Sequence, residues 1–322
     1  MPSFRILLSL AILAVALPFA AAQTEHPASA PTPTAAPADW QPPAGDPTLT
    51  LWPNGAPGPQ TATGPEHDTT KPSDPLIMGK PLMRIGDVSN PTITLYPAPS
   101  QATAPAVVVF PGGGYSILAI DLEGSEVCAW LNSIDVNCVL LKYRVPNTGP
   151  YPKSAAALQD AQRAMGLVRE HAADWHIDPQ RIGVLGFSAG GHLAAALSTH
   201  YDRRLYPAVD AADQLSCRPD FAIIIYPGYL SIAEKNFEFN PDIPVTASVP
   251  PTFLVQAEDD PVHVENVIYY FLALKNAGVP AELHVYTKGG HGYGLRPGPN
   301  PITHWPELAQ KWLYTIHVLP MD

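Results

Sequence analysis

The sequence predicts an α/β fold, with a mostly parallel central sheet covered by helices on both faces. Two observations carry that prediction. Short apolar runs recur from about residue 92 onward, and most are separated by longer stretches of helical periodicity. Unbroken apolar runs suit strands buried on both faces, and residues 106–110 (Ala-Val-Val-Val-Phe) are the clearest case. In chain order the expected strands are 49–51, 92–96, 106–110, 136–143, 182–187, 221–226, 252–257 and 282–286. The expected helices are 123–132, 154–175, 189–199, 264–277 and 305–318. Ligands of such sheets bind at the carboxyl ends of the strands.

The segment before the alternation reads differently. Arg5, the apolar run 6–17 and the small residues Ala20, Ala21 and Ala22 have the form of a secretion signal, residues 1–22. The apolar run is shorter than the roughly 20 residues a membrane span needs, so cleavage is expected rather than anchoring. The sequence holds 39 prolines, well over the usual share of roughly 5%. Residues 23–48, rich in Pro, Ala and Thr, read as an extended linker. The catalytic domain is then 49–322, with an irregular arm expected over 49–90. A secreted or periplasmic protein, out of the membrane once the signal is cleaved, is the expectation.

A net charge of −11 argues against nucleic acid as a partner. The three cysteines, Cys128, Cys138 and Cys217, lack C-x-x-C spacing, so no metal site is expected. An oxidising compartment permits one disulfide, but buried free thiols are the favoured reading.

The chemistry concentrates at four places. Gly186-Phe187-Ser188-Ala189-Gly190 follows an apolar strand and precedes an alanine-rich helix, the setting of a nucleophile elbow. A plain strand-to-helix turn capped by a serine would look similar. A serine hydroxyl needs a base, and His291 alone of the 11 histidines sits in a glycine-lined loop, Gly289-Gly290-His291-Gly292. An orienting acid is expected between them in the chain. Glu258, Asp259 and Asp260 all follow the strand 252–257, and spacing alone does not separate them. Upstream, Pro111-Gly112-Gly113-Gly114-Tyr115 follows another buried strand. Its glycine amides, with that of Ala189, can form an oxyanion hole.

These motifs together resemble bacterial exported carbohydrate esterases of the acetylxylan and feruloyl esterase type. Those are α/β-hydrolases related to the hormone-sensitive-lipase-like group. The resemblance extends from about residue 49 to the end and includes Leu51-Trp52-Pro53-Asn54-Gly55 and Ser216-Cys217-Arg218-Pro219-Asp220. It implies an α/β-hydrolase fold and a triad of Ser188, Asp260 and His291, the acid being the one that directly precedes Pro261. It also implies an oxyanion hole of Gly112, Gly113, Gly114 and Ala189, no cofactor, and an acylated carbohydrate or other small ester as substrate. Pro111 departs from related lipases, which carry histidine before the glycines. Asp160 resembles a helix residue with a structural role, and His192 is expected to support packing or hydrogen bonding. Tyr115 and the region 226–245 are expected to wall the substrate pocket.

Removal of acetyl groups from plant polysaccharide is the expected activity. Feruloyl esterase and general short-chain carboxylesterase are the alternatives, and a non-catalytic carbohydrate-binding protein is the reading from another class. A glycosidase needs two carboxylates facing each other across a sugar, which one contiguous acidic turn does not supply.

Overall fold

The apolar runs lie side by side in one eight-stranded sheet. In the computed structural model, residues 40–100 and 102–320 are described. The expected secretion signal and the expected linker up to residue 39 lie outside the described residues. The strands are β1 (Thr48–Thr50), β2 (Thr92–Tyr96), β3 (Ala104–Phe110), β4 (Asn137–Lys142), β5 (Ile177–Phe187), β6 (Ala222–Ile225), β7 (Thr252–Ala257) and β8 (Ala281–Tyr286). Their order across the sheet is β1-β2-β4-β3-β5-β6-β7-β8. The pairs β1–β2 and β2–β4 are antiparallel, and every later pair is parallel. All seven residues of β3 are buried, as its unbroken apolar run requires.

Among the described residues five α-helices accompany the sheet: α1 (Glu126–Ser133), α2 (Ala155–Glu170), α3 (Ala189–Thr199), α4 (Glu265–Asn276) and α5 (Trp305–Thr315). Three differ from expectation. The last, expected over 305–318, ends at Thr315. The helix expected over 123–132 begins with a π-helical turn, Asp121–Ser125, where Gly124 packs closely against Leu140 and Pro111. The one expected over 154–175 stops at Glu170, where His171 leaves helical geometry and its ring stacks on Trp175. The arm before β2 carries two short strands, His67–Asp68 and Arg84–Gly86, which join Leu118–Ala119 in a separate small sheet.

One polar cluster in the core fastens the start of the domain. The Asp160 carboxylate on α2 accepts the Trp52 indole N–H at 2.7 Å, the Arg144 backbone amide at 2.9 Å and the Arg144 guanidinium at 2.9–3.0 Å. Arg163, one turn further along α2, donates to the Leu51 carbonyl and pairs with Asp213 at 3.1 Å. Both guanidinium carbons lie 5.9 Å from the Trp52 ring centroid. Earlier still, Trp40 is already packed against the core, with the Lys142 ammonium over its ring.

The expectation of free thiols is corrected at two positions. Cys128 on α1 and Cys138 on β4 form a disulfide, their Cα atoms 5.1 Å apart, and Cys217 is buried and free. Helix and strand here are antiparallel neighbours joined by a short turn. That adjacency is a tertiary fact which spacing does not encode. Among the described residues no helix is long and apolar enough to cross a membrane.

Candidate active site

The serine sits where strand order and backbone strain converge. β5 ends at Phe187, α3 starts at Ala189, and Ser188 between them has φ 50° and ψ −118°. A side chain prefers not to adopt that geometry, and the surrounding backbone imposes it. The flanking glycines are there for space. A Cβ at Gly186 would run into the Gly190 carbonyl, and one at Gly190 into the carbonyl of Phe110. Helix and strand therefore close to a distance that only glycine permits, and the serine is lifted out at the turn.

The loops after β7 and β8 bring its partners. The Ser188 hydroxyl donates to His291 Nε2 at 2.8 Å, and His291 Nδ1–H donates to Asp260 Oδ2 at 2.9 Å. His291 is 22% exposed and the Asp260 side chain is fully enclosed. Asp260 also accepts the Val262 amide at 2.7 Å and the Gln256 side-chain amide at 3.0 Å, so both its oxygens are hydrogen-bonded. The structure thus separates the three adjacent carboxylates. Glu258 faces solvent. Asp259 accepts the amides of Gly290 and Gly289 at 2.8 and 2.9 Å, clamping the loop that carries His291. Those amides, the Gly290 one foremost, hold its carboxyl below the ordinary carboxylate range.

Two of the expected site residues occupy other places. The Gly112 amide donates to the carboxylate of Glu123 at 2.7 Å, so it is not offered to an oxyanion. The amides of Gly113, Gly114 and Ala189, the last being the first residue of α3, have no acceptor among the described residues. Gly113 and Gly114 adopt φ of 132° and 62°. Tyr115 is 0% exposed, and its hydroxyl shares a 2.7 Å hydrogen bond with His192 Nδ1, so it supports the loop from beneath. The aromatic ring that faces solvent there is Tyr229, 38% exposed and stacked on Tyr115. Its hydroxyl would lie 3.9 Å from a Cβ at Gly114.

Sequence reading missed Glu123, which looked like one more polar residue at a helix start. It is 4% exposed and accepts the Tyr226 hydroxyl at 2.8 Å as well as the Gly112 amide. The available signal was its setting, a carboxylate between Leu122 and Gly124 directly downstream of a glycine loop. His192 is buried as expected, and burial pushes its pKa down to about 3. Chemically, the assembled groups offer a hydroxyl, a base in contact with it, an acid behind the base, and unspent amides beside the hydroxyl.

Comparison with known proteins identifies the family. Residues 107–295 match the family described as the α/β-hydrolase fold. The chain is 31% identical over 222 residues to an acetylxylan esterase of Xylanibacter ruminicola, covering 61% of this chain and 42% of that protein. It is 30% identical over 240 residues to the esterase LipI of Mycobacterium tuberculosis, covering 64% of this chain and 72% of LipI. Among solved structures, an acetyl ester-xyloside bifunctional hydrolase from Caldicellulosiruptor lactoaceticus superposes with a TM-score of 0.66 at 35% identity. That match covers 85% of this chain and 97% of the other. The chain therefore spans less than half the length of the Xylanibacter relative.

Proposed function

This chain belongs to the α/β-hydrolase family, and we propose that it is an exported serine esterase that removes acetyl groups from plant polysaccharide of the xylan type. The observation that carries the reading is the continuous chain of contacts Ser188–His291–Asp260, at 2.8 and 2.9 Å, beside three unspent amides.

In this reading His291 Nε2 takes the hydroxyl proton as Ser188 Oγ attacks the acetyl carbonyl carbon. Asp260 holds the imidazole by its Nδ1–H and stabilises the imidazolium that forms. The carbonyl oxygen, now an oxyanion, is received by the amides of Gly113, Gly114 and Ala189. Such donors contribute on the order of 100- to 1000-fold in rate. The imidazolium then gives its proton to the departing sugar oxygen, leaving an acetyl ester on Ser188. Water repeats the sequence in the second half and releases acetate.

Export rests on the leader sequence and is supported by the Cys128–Cys138 disulfide, a bond that persists in oxidising compartments. The substrate class is supported by the likeness to an acetylxylan esterase and to an acetyl ester-xyloside hydrolase. The deciding assay compares release of acetic acid from acetylated xylan with release of ferulate from feruloylated arabinoxylan. Acetate release, abolished in Ser188→Ala, is the expected outcome. Ferulate release without acetate would replace the substrate, and fluorophosphonate labelling that survives Ser188→Ala would remove the mechanism.

A further inference from the structure

Behind the glycine loop lies a second buried carboxylate that the acyl-transfer scheme leaves idle. Glu123 Oε2 accepts the Gly112 amide at 2.7 Å, and Oε1 accepts the Tyr226 hydroxyl at 2.8 Å. That hydroxyl in turn accepts the Gly294 amide at 3.1 Å, three residues beyond the base. The Tyr226 ring meets the His291 imidazole edge-on, centroids 4.9 Å apart. A Cβ placed on Gly112 would lie 2.6 Å from Glu123 Oε2 and 2.9 Å from Ser188 Cβ. One carboxylate is therefore wedged between the loop of amides, the nucleophile's backbone and the loop of the base.

Its partners are telling. Asp160, equally buried, is matched by the Arg144 guanidinium, whereas Glu123 has only neutral donors among its described hydrogen bonds. An ionised acid at this depth is costly unless a positive charge is nearby. The candidate is His291 in its protonated form, whose attraction lowers the Glu123 pKa. Burial, the largest influence, leaves the Glu123 pKa above the ordinary carboxylate value, against the lowering by the Tyr226 hydrogen bond, the His291 charge and the Gly112 hydrogen bond. Both carboxyl oxygens accept hydrogen bonds, which suits the ionised form. The groups facing this pair are Asp260 on the far side of the imidazole, Tyr226 between them, the buried Tyr293 and Tyr143, and Asp121 on the π-helical turn.

Resting on the reading that Ser188 and His291 perform acyl transfer, we infer that Glu123 is a positioning residue with two tasks. It pins the glycine loop so that the Gly113 and Gly114 amides meet the oxyanion. It also supplies a fixed negative charge that favours His291 as it becomes imidazolium. Glu123 neither gives nor takes a proton in this role.

The test compares wild type, Glu123→Gln and Glu123→Asp, each checked for folding by circular dichroism, with p-nitrophenyl acetate as substrate. E123Q keeps the shape and removes the charge. Its kcat should fall about 10- to 100-fold, as for a misplaced oxyanion donor, with KM within about twofold. The acid limb of kcat/KM should move to lower pH, because the forming imidazolium loses a charge that favours it. The downfield Nδ1–H resonance of His291, followed by NMR without substrate, should titrate at correspondingly lower pH. E123D keeps the charge on a shorter stem, so it should lose kcat while its acid limb stays near that of wild type.

A folded E123Q with wild-type kcat, or with lowered kcat but unmoved pH midpoints, would overturn the inference. If neither variant folds, Tyr226→Phe leaves the charge in place and removes a donor that partly offsets it, so the acid limb should move the other way, to higher pH; an unmoved or lowered limb, or failure of all three to fold, counts against it equally. An inactive wild type would instead defeat the esterase reading, and the NMR comparison would still report on the charge.

Discussion

Asp160 and Asp260 are both enclosed acids with both oxygens hydrogen-bonded, yet their partners are of different kinds. Asp160 faces the Arg144 guanidinium, the Trp52 indole and a backbone amide. A guanidinium stays charged at any ordinary pH, so that cluster has one electrostatic state. Asp260 faces an imidazole that can be neutral or charged and that touches a hydroxyl on its other side. The first cluster ties the chain around residues 51–58 onto α2, where Arg144 also reaches the Pro57 carbonyl at 2.6 Å. The second leaves its cation conditional. A buried acid with a permanent counter-charge holds structure together, and one with a switchable counter-charge can take part in proton transfer.

That contrast can be broken most decisively at the nucleophile. Ser188→Ala should lower kcat on the order of a millionfold, as expected when the hydroxyl, base and acid act as a unit. It should leave the melting temperature nearly unchanged, as scanning calorimetry will show. Asp260→Asn should cost on the order of ten-thousandfold in kcat, because the amide no longer holds the imidazole in the working tautomer. Steady-state kinetics on a protein of unchanged fold is the check, and a loss of stability without loss of kcat would erase the distinction.

Asp160→Asn should do the reverse. Leaving Arg144 buried and uncompensated costs about 3–5 kcal/mol of stability, read by urea unfolding, while kcat/KM of the folded fraction stays within roughly threefold. Lost activity at unchanged stability would show that the two clusters are coupled.

The smallest effect concerns His192, buried beside neither acid. Its pKa is about 3 in the folded chain against an ordinary value of 6.5. Above pH 6.5 both states leave it neutral and it adds no pH dependence. Below pH 6.5 the unfolded chain binds a proton that the folded chain refuses, so stability falls from there toward about pH 3. Urea midpoints between pH 7 and 4 should therefore drop less steeply in His192→Asn than in wild type.

Much of this was legible beforehand. The strands 92–96 and 252–257 and the helix 189–199 lie where their patterns place them, because a buried strand shows as an apolar run whatever it packs against. The contact of Ser188 with His291 follows from strand order, since the parallel run β5-β6-β7-β8 puts the loops after β5 and β8 at the same edge of the sheet. The small sheet built from 67–68, 84–86 and 118–119 was not legible. Strands two or three residues long leave no periodicity to read.

Sequence alone thus determined the mostly parallel sheet, the strand-turn-helix around Ser188 and the histidine that meets its hydroxyl, because each rests on local pattern and chain order. Tertiary structure decided the rest. It chose Asp260 to face the imidazole and Asp259 to clamp its loop, and it joined Cys128 to Cys138. It turned Tyr115 inward, leaving Tyr229 exposed, and took the Gly112 amide from the oxyanion hole to give it to Glu123. Each of those choices depends on the direction in which a side chain or amide points across two packed elements, and direction is set by packing rather than by spacing along the chain.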